Sequence, residues 1–258
     1  MSSKFNIRNE LISLYNSIKT LDKKVVIIFL SVAVLQTISW YLTSRNFFRE
    51  NYYYQYFTNY RYKDLIEYLF WFFTDFITLL IIPVIIIKYV FKEHLKDYGI
   101  QFGDKKTGIT FTLLFTFIML PVLWLLSASP EFSVNYPQLQ SAKENRFIFI
   151  IYETALFIYL FAWEFIWRGY MLFGLEKKFG YYSVFIQMIP FVILHNGKPV
   201  LETFGAIIGA LLLGVLALRT RSYLYGVFVH FAVLFGIDLF SLIRYKFALV
   251  ARFVPGLF

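Results

Sequence analysis

Cysteine is absent from all 258 residues, which excludes structural disulfides and thiolate metal sites and leaves any catalysis to other groups. Charge is scarce as well: 16% of the residues are Asp, Glu, Lys or Arg, 59% are hydrophobic, and the mean hydropathy is +0.61. Ordinary soluble domains hold roughly 45–50% apolar residues, so lipid is the solvent for most of this chain. No stretch between the hydrophobic segments is long enough for a separate soluble domain, and a single integral membrane domain over residues 1–258 is expected. The formal charge of +9 is not gathered into a dense patch. The basic residues lie between hydrophobic segments, where they act as topology signals and headgroup contacts, and a nucleic-acid partner is not expected.

Spanning candidates fall at about 25–43, 69–91, 109–127, 147–174, 181–195, 201–219 and 223–243, each near the ~20 apolar residues that a ~30 Å hydrocarbon core requires. The pattern predicts an all-α, polytopic membrane helix bundle of about seven to eight transmembrane helices. Residues 1–24 place Ile7, Leu11, Leu14, Ile18 and Leu21 at steps of four and three, with Lys4, Arg8, Lys19, Lys23 and Lys24 between them, which predicts an amphipathic helix lying at the interface. The first span is not a cleaved signal peptide by this reading, because Trp40, Tyr41, Leu42 and Thr43 follow where small residues would be needed. Of the 25 Lys and Arg, 14 flank the side of the amino terminus and ten the other, so a cytoplasmic amino terminus is expected. The tyrosines at 52, 53, 54, 56, 60 and 62 read as an aromatic belt. Small residues at Gly205, Ala206, Gly209 and Ala210 predict close approach of a neighbouring helix.

Several ionisable residues sit where lipid should not tolerate them. A charge at the bilayer centre costs at least ~2.5–3.5 kcal/mol on insertion scales, so each needs a partner or a cavity. Glu164 and Arg168 are four apart and share a helix face. Two of the three histidines, His195 and His230, fall in hydrophobic segments, and Asp238 follows His230 by two turns. A lone histidine there is more often a hydrogen-bonded packing residue than a catalyst. At ~1.5 Å per residue, however, Glu164, His195, His230 and Asp238 lie roughly 15, 21, 11 and 22 Å from one boundary. Their shared level predicts one polar cavity between three helices. Asp75, Lys88 and Glu153 are secondary candidates, with Lys88 able to snorkel and Glu153 placed either at the cavity's mouth or at a wet helix end.

A carboxylate beside an imidazole can hold a water and take its proton, while a second imidazole stabilises the oxyanion of an attacked amide. The same groups could ligate a divalent metal, although no His-Glu-x-x-His is present. The motifs read Trp163-Glu164, Arg168-Gly169, then Phe191 and His195, then His230 and Leu234. In order and spacing this resembles the CAAX-protease and bacteriocin-processing (CPBP, or Abi) family of intramembrane endopeptidases, whose pattern is Glu-Glu-x-x-x-Arg, Phe-x-x-x-His and His-x-x-x-Asn/Asp. The resemblance covers residues from about 150 to 240, and the helices at 147–243 would carry the catalytic motifs.

The resemblance implies a glutamic-type intramembrane protease that needs no metal or other cofactor. A peptide or protein substrate would be met in the lipid bilayer, here that of a bacterial cytoplasmic membrane. Glu164 and His195 would activate water, Arg168 would orient Glu164, and His230 with Asp238 would stabilise the tetrahedral intermediate. Two positions depart from the pattern: Trp163 stands where the first glutamate belongs, and Leu234 where the amide or carboxylate belongs, with Asp238 one turn further on. These departures keep open a catalytically inactive relative that acts by binding, of immunity type. A proton-coupled transporter is a third reading, but it calls for inverted repeats, and no internal symmetry relates the two halves.

Overall fold

The computed structural model describes residues 6–253, which are helical with no strand among them. Among the described residues, six stretches are long and apolar enough to cross a membrane: Lys23–Tyr56, Lys63–Phe91, Lys105–Leu126, Arg146–Phe179, Val200–Thr220 and Leu224–Ala248. We label the helices α1 (Ile7–Lys19), α2 (Lys23–Tyr41), α3 (Lys63–Phe91), α4 (Lys105–Leu126), α5 (Arg146–Phe179), α6 (Tyr182–Ile193), α7 (Val200–Thr220) and α8 (Leu224–Phe253). The protein is a polytopic membrane bundle. Short polar side chains start four of these helices by accepting orphan backbone N–H groups: Asn6 for α1, Asp22 for α2, Asp104 for α4 and Asn145 for α5.

Helix α1 buries none of its residues, and Ile7, Leu11, Leu14 and Ile18 all stand exposed. Its apolar stripe therefore has no partner among the described residues, as an interfacial helix requires; Lys4 lies outside them. The expected aromatic belt is exposed at Tyr54, Tyr56 and Tyr60. It is tied down by Glu67 of α3, which is fully buried and accepts from Nε of both Arg45 and Arg49.

Helix α5 is the axis of the bundle. Leu160, Ala162, Phe165, Ile166, Trp167 and Tyr170 are all 0–1% exposed, and α5 packs against both α3 and α8. Immediately after Glu164 the backbone widens into a π-helical turn over Phe165–Met171, a feature often found at functional positions. Gly169 lies within that turn because Phe165 lies over it: a Cβ there would stand 2.2 Å from the phenyl ring.

The fifth predicted span is a 12-residue helix, α6, which at ~1.5 Å per residue covers only ~18 Å. The chain then turns at His195–Pro199 and climbs to the start of α7, where Val200 donates to Glu131 at 3.0 Å and the Tyr136 hydroxyl bonds Glu202. Helix α7 returns to the side on which α2 begins, where the Asp104 amide donates to Thr220 O at 2.9 Å. Gly103 makes that junction possible, since its φ is +51° and a Cβ would fall 1.8 Å from the Thr220 oxygen. The small-residue prediction for α7 holds on one side of the helix. Ala206 and Ala210 are buried, and Gln187 of α6 donates to Ala210 O at 3.0 Å, whereas Gly205 and Gly209 face open space.

Candidate functional site

Three elements bring the predicted side chains together: the middle of α5, the end of α6 and the first turns of α8. Glu164 is 0% exposed and its Oε1 accepts two bonds, one from Arg168 Nη1 at 3.2 Å and one from His230 Nδ1 at 2.7 Å. The other oxygen, Oε2, has no hydrogen-bond partner among the described residues and lies against Gly226, one turn before His230, where a Cβ would come within 2.9 Å. Gly226 was not singled out from sequence, because a glycine in an apolar run carries no signal until its neighbour is known.

Arg168 is also fully buried, and its guanidinium sits 4.0 Å over the ring of Phe191. That cation–π contact suits a desolvated charge whose remaining N–H groups have no acceptor. Phe191 is the hub of the site. Its ring centroid is 4.5 Å from that of His195 and 6.2 Å from that of His230, so the two imidazoles flank one phenyl group.

Each imidazole has a fixed tautomer. His195 Nδ1 lies 2.8 Å from Phe191 O, and since a carbonyl only accepts, the proton is on Nδ1 and Nε2 is left with a lone pair. The turn holding His195 is itself tied, with Thr203 Oγ1 donating to His195 O at 2.9 Å. His230 donates from Nδ1 to the carboxylate, so its Nε2 is likewise unengaged, and its side chain is 12% exposed. A carboxylate orienting an imidazole whose far nitrogen is open is the arrangement of a general base with its positioning group.

Asp238 is not in this cluster. Its carboxyl meets that of Glu153, eleven residues before Glu164 and nearer the start of α5, and both residues are at most 5% exposed. Among the described residues, no N–H or O–H from outside this pair reaches either oxygen of Glu153 or Oδ1 of Asp238. Lys198 and Glu202 bond each other at 2.8 Å nearby and complete an outer polar layer. The expectation of one cavity holding all four residues is thus corrected: Glu164, His195 and His230 converge, while Asp238 joins Glu153 in a second polar site. Level in the membrane does not fix direction around a helix, and eight residues beyond His230 the α8 backbone has turned ~80° away and risen ~12 Å. The outer layer carried a legible signal in the i,i+4 spacing of Lys198 and Glu202.

The secondary candidates have other roles. Asp75 accepts from Ser39, Thr43 and Trp71 and ties α2 to α3. Lys88 is exposed, as snorkelling requires. Trp163 packs its indole among Tyr159, Trp167 and Phe191, with ring centroids 5.7–6.1 Å apart, and Leu234 packs against the apolar core. Among the described residues no three carboxylate or imidazole groups gather as a set that could hold a metal ion.

Neither a curated protein nor a solved structure matches the chain. A family model described as type II CAAX prenyl endopeptidase Rce1-like matches residues 137–235, a segment that contains Glu164, Arg168, His195 and His230. The chain is similar to the type II CAAX prenyl endopeptidase Rce1-like family over that segment, the part in which these side chains converge.

Proposed function

We propose that the protein is an intramembrane endopeptidase in which His230, oriented by Glu164, removes a proton from water as it attacks a peptide carbonyl. The observation that carries this reading is the 2.7 Å bond between His230 Nδ1 and Glu164 Oε1, in a segment that matches a family model of peptidases. Glu164 is enclosed by Arg168, His230 and Gly226, so it acts through the imidazole rather than on substrate. Arg168 fixes the carboxylate by a charge-assisted bond within the bundle. His195 faces the same phenyl ring, and its open Nε2 can hold the attacking water or, once protonated, the oxyanion. The outer pair, Glu153 and Asp238, takes no part in this chemistry. The substrate is a peptide presented within the bilayer of a bacterial cytoplasmic membrane, with the amino terminus of the enzyme in the cytoplasm.

One observation favours a second reading. The large Trp163 side chain occupies the position of the family's first glutamate and is wedged against Phe191, which fits a relative that binds peptides without cutting them. To separate the two, wild type, Glu164→Gln and His230→Gln are purified in detergent, checked for folding and incubated with prenylated and unprenylated peptide libraries. Cleavage by wild type and a loss of ~10²-fold or more in His230→Gln is the expected result for a general base. Binding of peptide without cleavage by any of the three would replace the enzyme by the binding protein.

A further inference from the structure

A groove of about 880 Å³ lies between α5 and α8 on the membrane side opposite the start of α2, apart from the Glu164 centre. Its walls are mostly phenylalanine and leucine, from Phe149, Phe157, Phe231, Phe235, Leu239 and Leu242, and the one acidic side chain in the wall below the rim is the buried Glu153. Ile150 and Thr154, both exposed on the outside of α5, edge it, so the groove faces lipid along its length.

The rim has the opposite chemistry. Lys143, Arg146 and Lys246 stand around the mouth against one carboxylate, Glu144. Lys143 is held in place by Ser133 O at 2.7 Å and Gln140 Oε1 at 2.6 Å, which among the described residues leaves one ammonium N–H without an acceptor. Arg146 and Lys246 are exposed, and among the described residues neither has a carboxylate within ion-pair distance. The rim lies where α5 begins, at the headgroup level, and Phe157 is 11 residues further down, ~16 Å toward the bilayer centre. A cationic collar over a deep apolar slot is complementary to one kind of molecule, with a negative group at the interface and hydrocarbon beneath it.

We propose that this groove is a binding site for a single anionic phospholipid, with its phosphate among Lys143, Arg146 and Lys246 and its acyl chains between the phenylalanines of α5 and α8. The site does not depend on hydrolysis at Glu164 and His230. A zwitterionic lipid brings the same chains but places a cationic group against the rim, so the rim selects for net negative charge. A peptide lying in the groove is the competing occupant, and it would be affected in cleavage rather than in lipid retention.

The test is native mass spectrometry of the delipidated full chain titrated separately with phosphatidylglycerol and phosphatidylcholine. One phosphatidylglycerol is expected to bind with ~10-fold preference, and Arg146→Glu/Lys246→Glu is expected to abolish that preference. Arg146→Gln/Lys246→Gln, a milder pair, should weaken it if charge reversal perturbs folding. Lys105→Glu/Lys106→Glu, on the other side of the membrane, should leave it unchanged. Phe235→Trp, checked for an unaltered melting temperature, should reduce retention of both lipids by filling the slot. Equal retention of the two lipids by wild type, or a preference that survives both rim pairs, overturns the proposal. Rim variants that alter peptide cleavage without altering lipid retention overturn it in favour of a peptide groove.

Discussion

The buried pair at the centre of α5 makes a quantitative demand. Glu164 and Arg168 are both 0% exposed and 3.2 Å apart. With an effective dielectric of ~20, two unit charges at that separation attract by about 5 kcal/mol. Removing one member leaves a desolvated charge without its partner, which costs about 3–5 kcal/mol. Glu164→Gln keeps an oxygen acceptor for His230 but strands the guanidinium over Phe191, and Arg168→Met strands the carboxylate with His230 as its only donor. Each single variant should therefore lose about 3–5 kcal/mol, read as a drop in melting temperature of roughly 6 °C or more for a domain of this size. The double variant removes both charges, so its loss should fall short of the sum of the singles by about 2 kcal/mol or more. Intrinsic tryptophan fluorescence during heating in detergent follows this directly, since Trp163 immediately precedes Glu164 and Trp167 immediately precedes Arg168. Additivity within ~0.5 kcal/mol would refute the reasoning, because it would mean that the two charges do not interact.

Other perturbations test other parts of the arrangement. Gly226→Ala puts a methyl group 2.9 Å from Glu164 Oε2, so the carboxylate has to shift, and peptide cleavage should fall ~10-fold or more with little loss of stability; wild-type rates would show that Glu164 does not need its exact seat. Asp238→Leu leaves the buried Glu153 carboxyl without its partner and should cost about 1–3 kcal/mol, whereas Glu153→Met/Asp238→Leu should recover most of that loss, and thermal melts of the three variants decide it. At the membrane surface, burial alone would raise the pKa of Glu93, but bonds from Lys24 and Tyr98 and the Lys24 charge outweigh it and hold the group below its ordinary 4.5. That tie contributes stability above the ordinary carboxylate range and loses it as the pH falls through the lower folded value. The group is partly exposed, so the contribution is at most ~1 kcal/mol. Wild type and Glu93→Gln should differ in melting temperature at pH 7 and converge under acid, and a gap that persists there would count against the tie.

The features legible in the sequence were those with a one-dimensional signature. Runs of apolar residues located the membrane helices, and the four-residue step from Glu164 to Arg168 placed that pair correctly. His195 and His230 stood out because imidazoles are rare in hydrophobic runs. What stayed hidden was azimuth: Glu153 lies on nearly the same face of α5 as Glu164, yet it is Glu153 that meets Asp238, and only the packing of α8 on α5 decides which carboxyl meets which. The π-helical turn after Glu164 was equally hidden, since it is a shift in backbone hydrogen-bond register with no residue code. The fifth span was already short in the sequence, at 181–195, and what stayed hidden was its end, because the apolar run continues into the turn that carries His195.

That turn couples two tasks in one ring. Helix α6 stops two residues short of His195, and the carbonyl of Phe191 that a further helical turn would have bonded is bonded by the imidazole instead. The proton on Nδ1 is therefore held by a backbone group, and the bare Nε2 is a by-product of how the helix is closed off. In a solvent without water an unbonded carbonyl is costly, so a replacement at position 195 that lacks a donor damages the chain termination of α6 before it affects any reaction. A mutational series there reads folding and reactivity through the same atom pair, and only a side chain that restores the donor to Phe191 O can separate them.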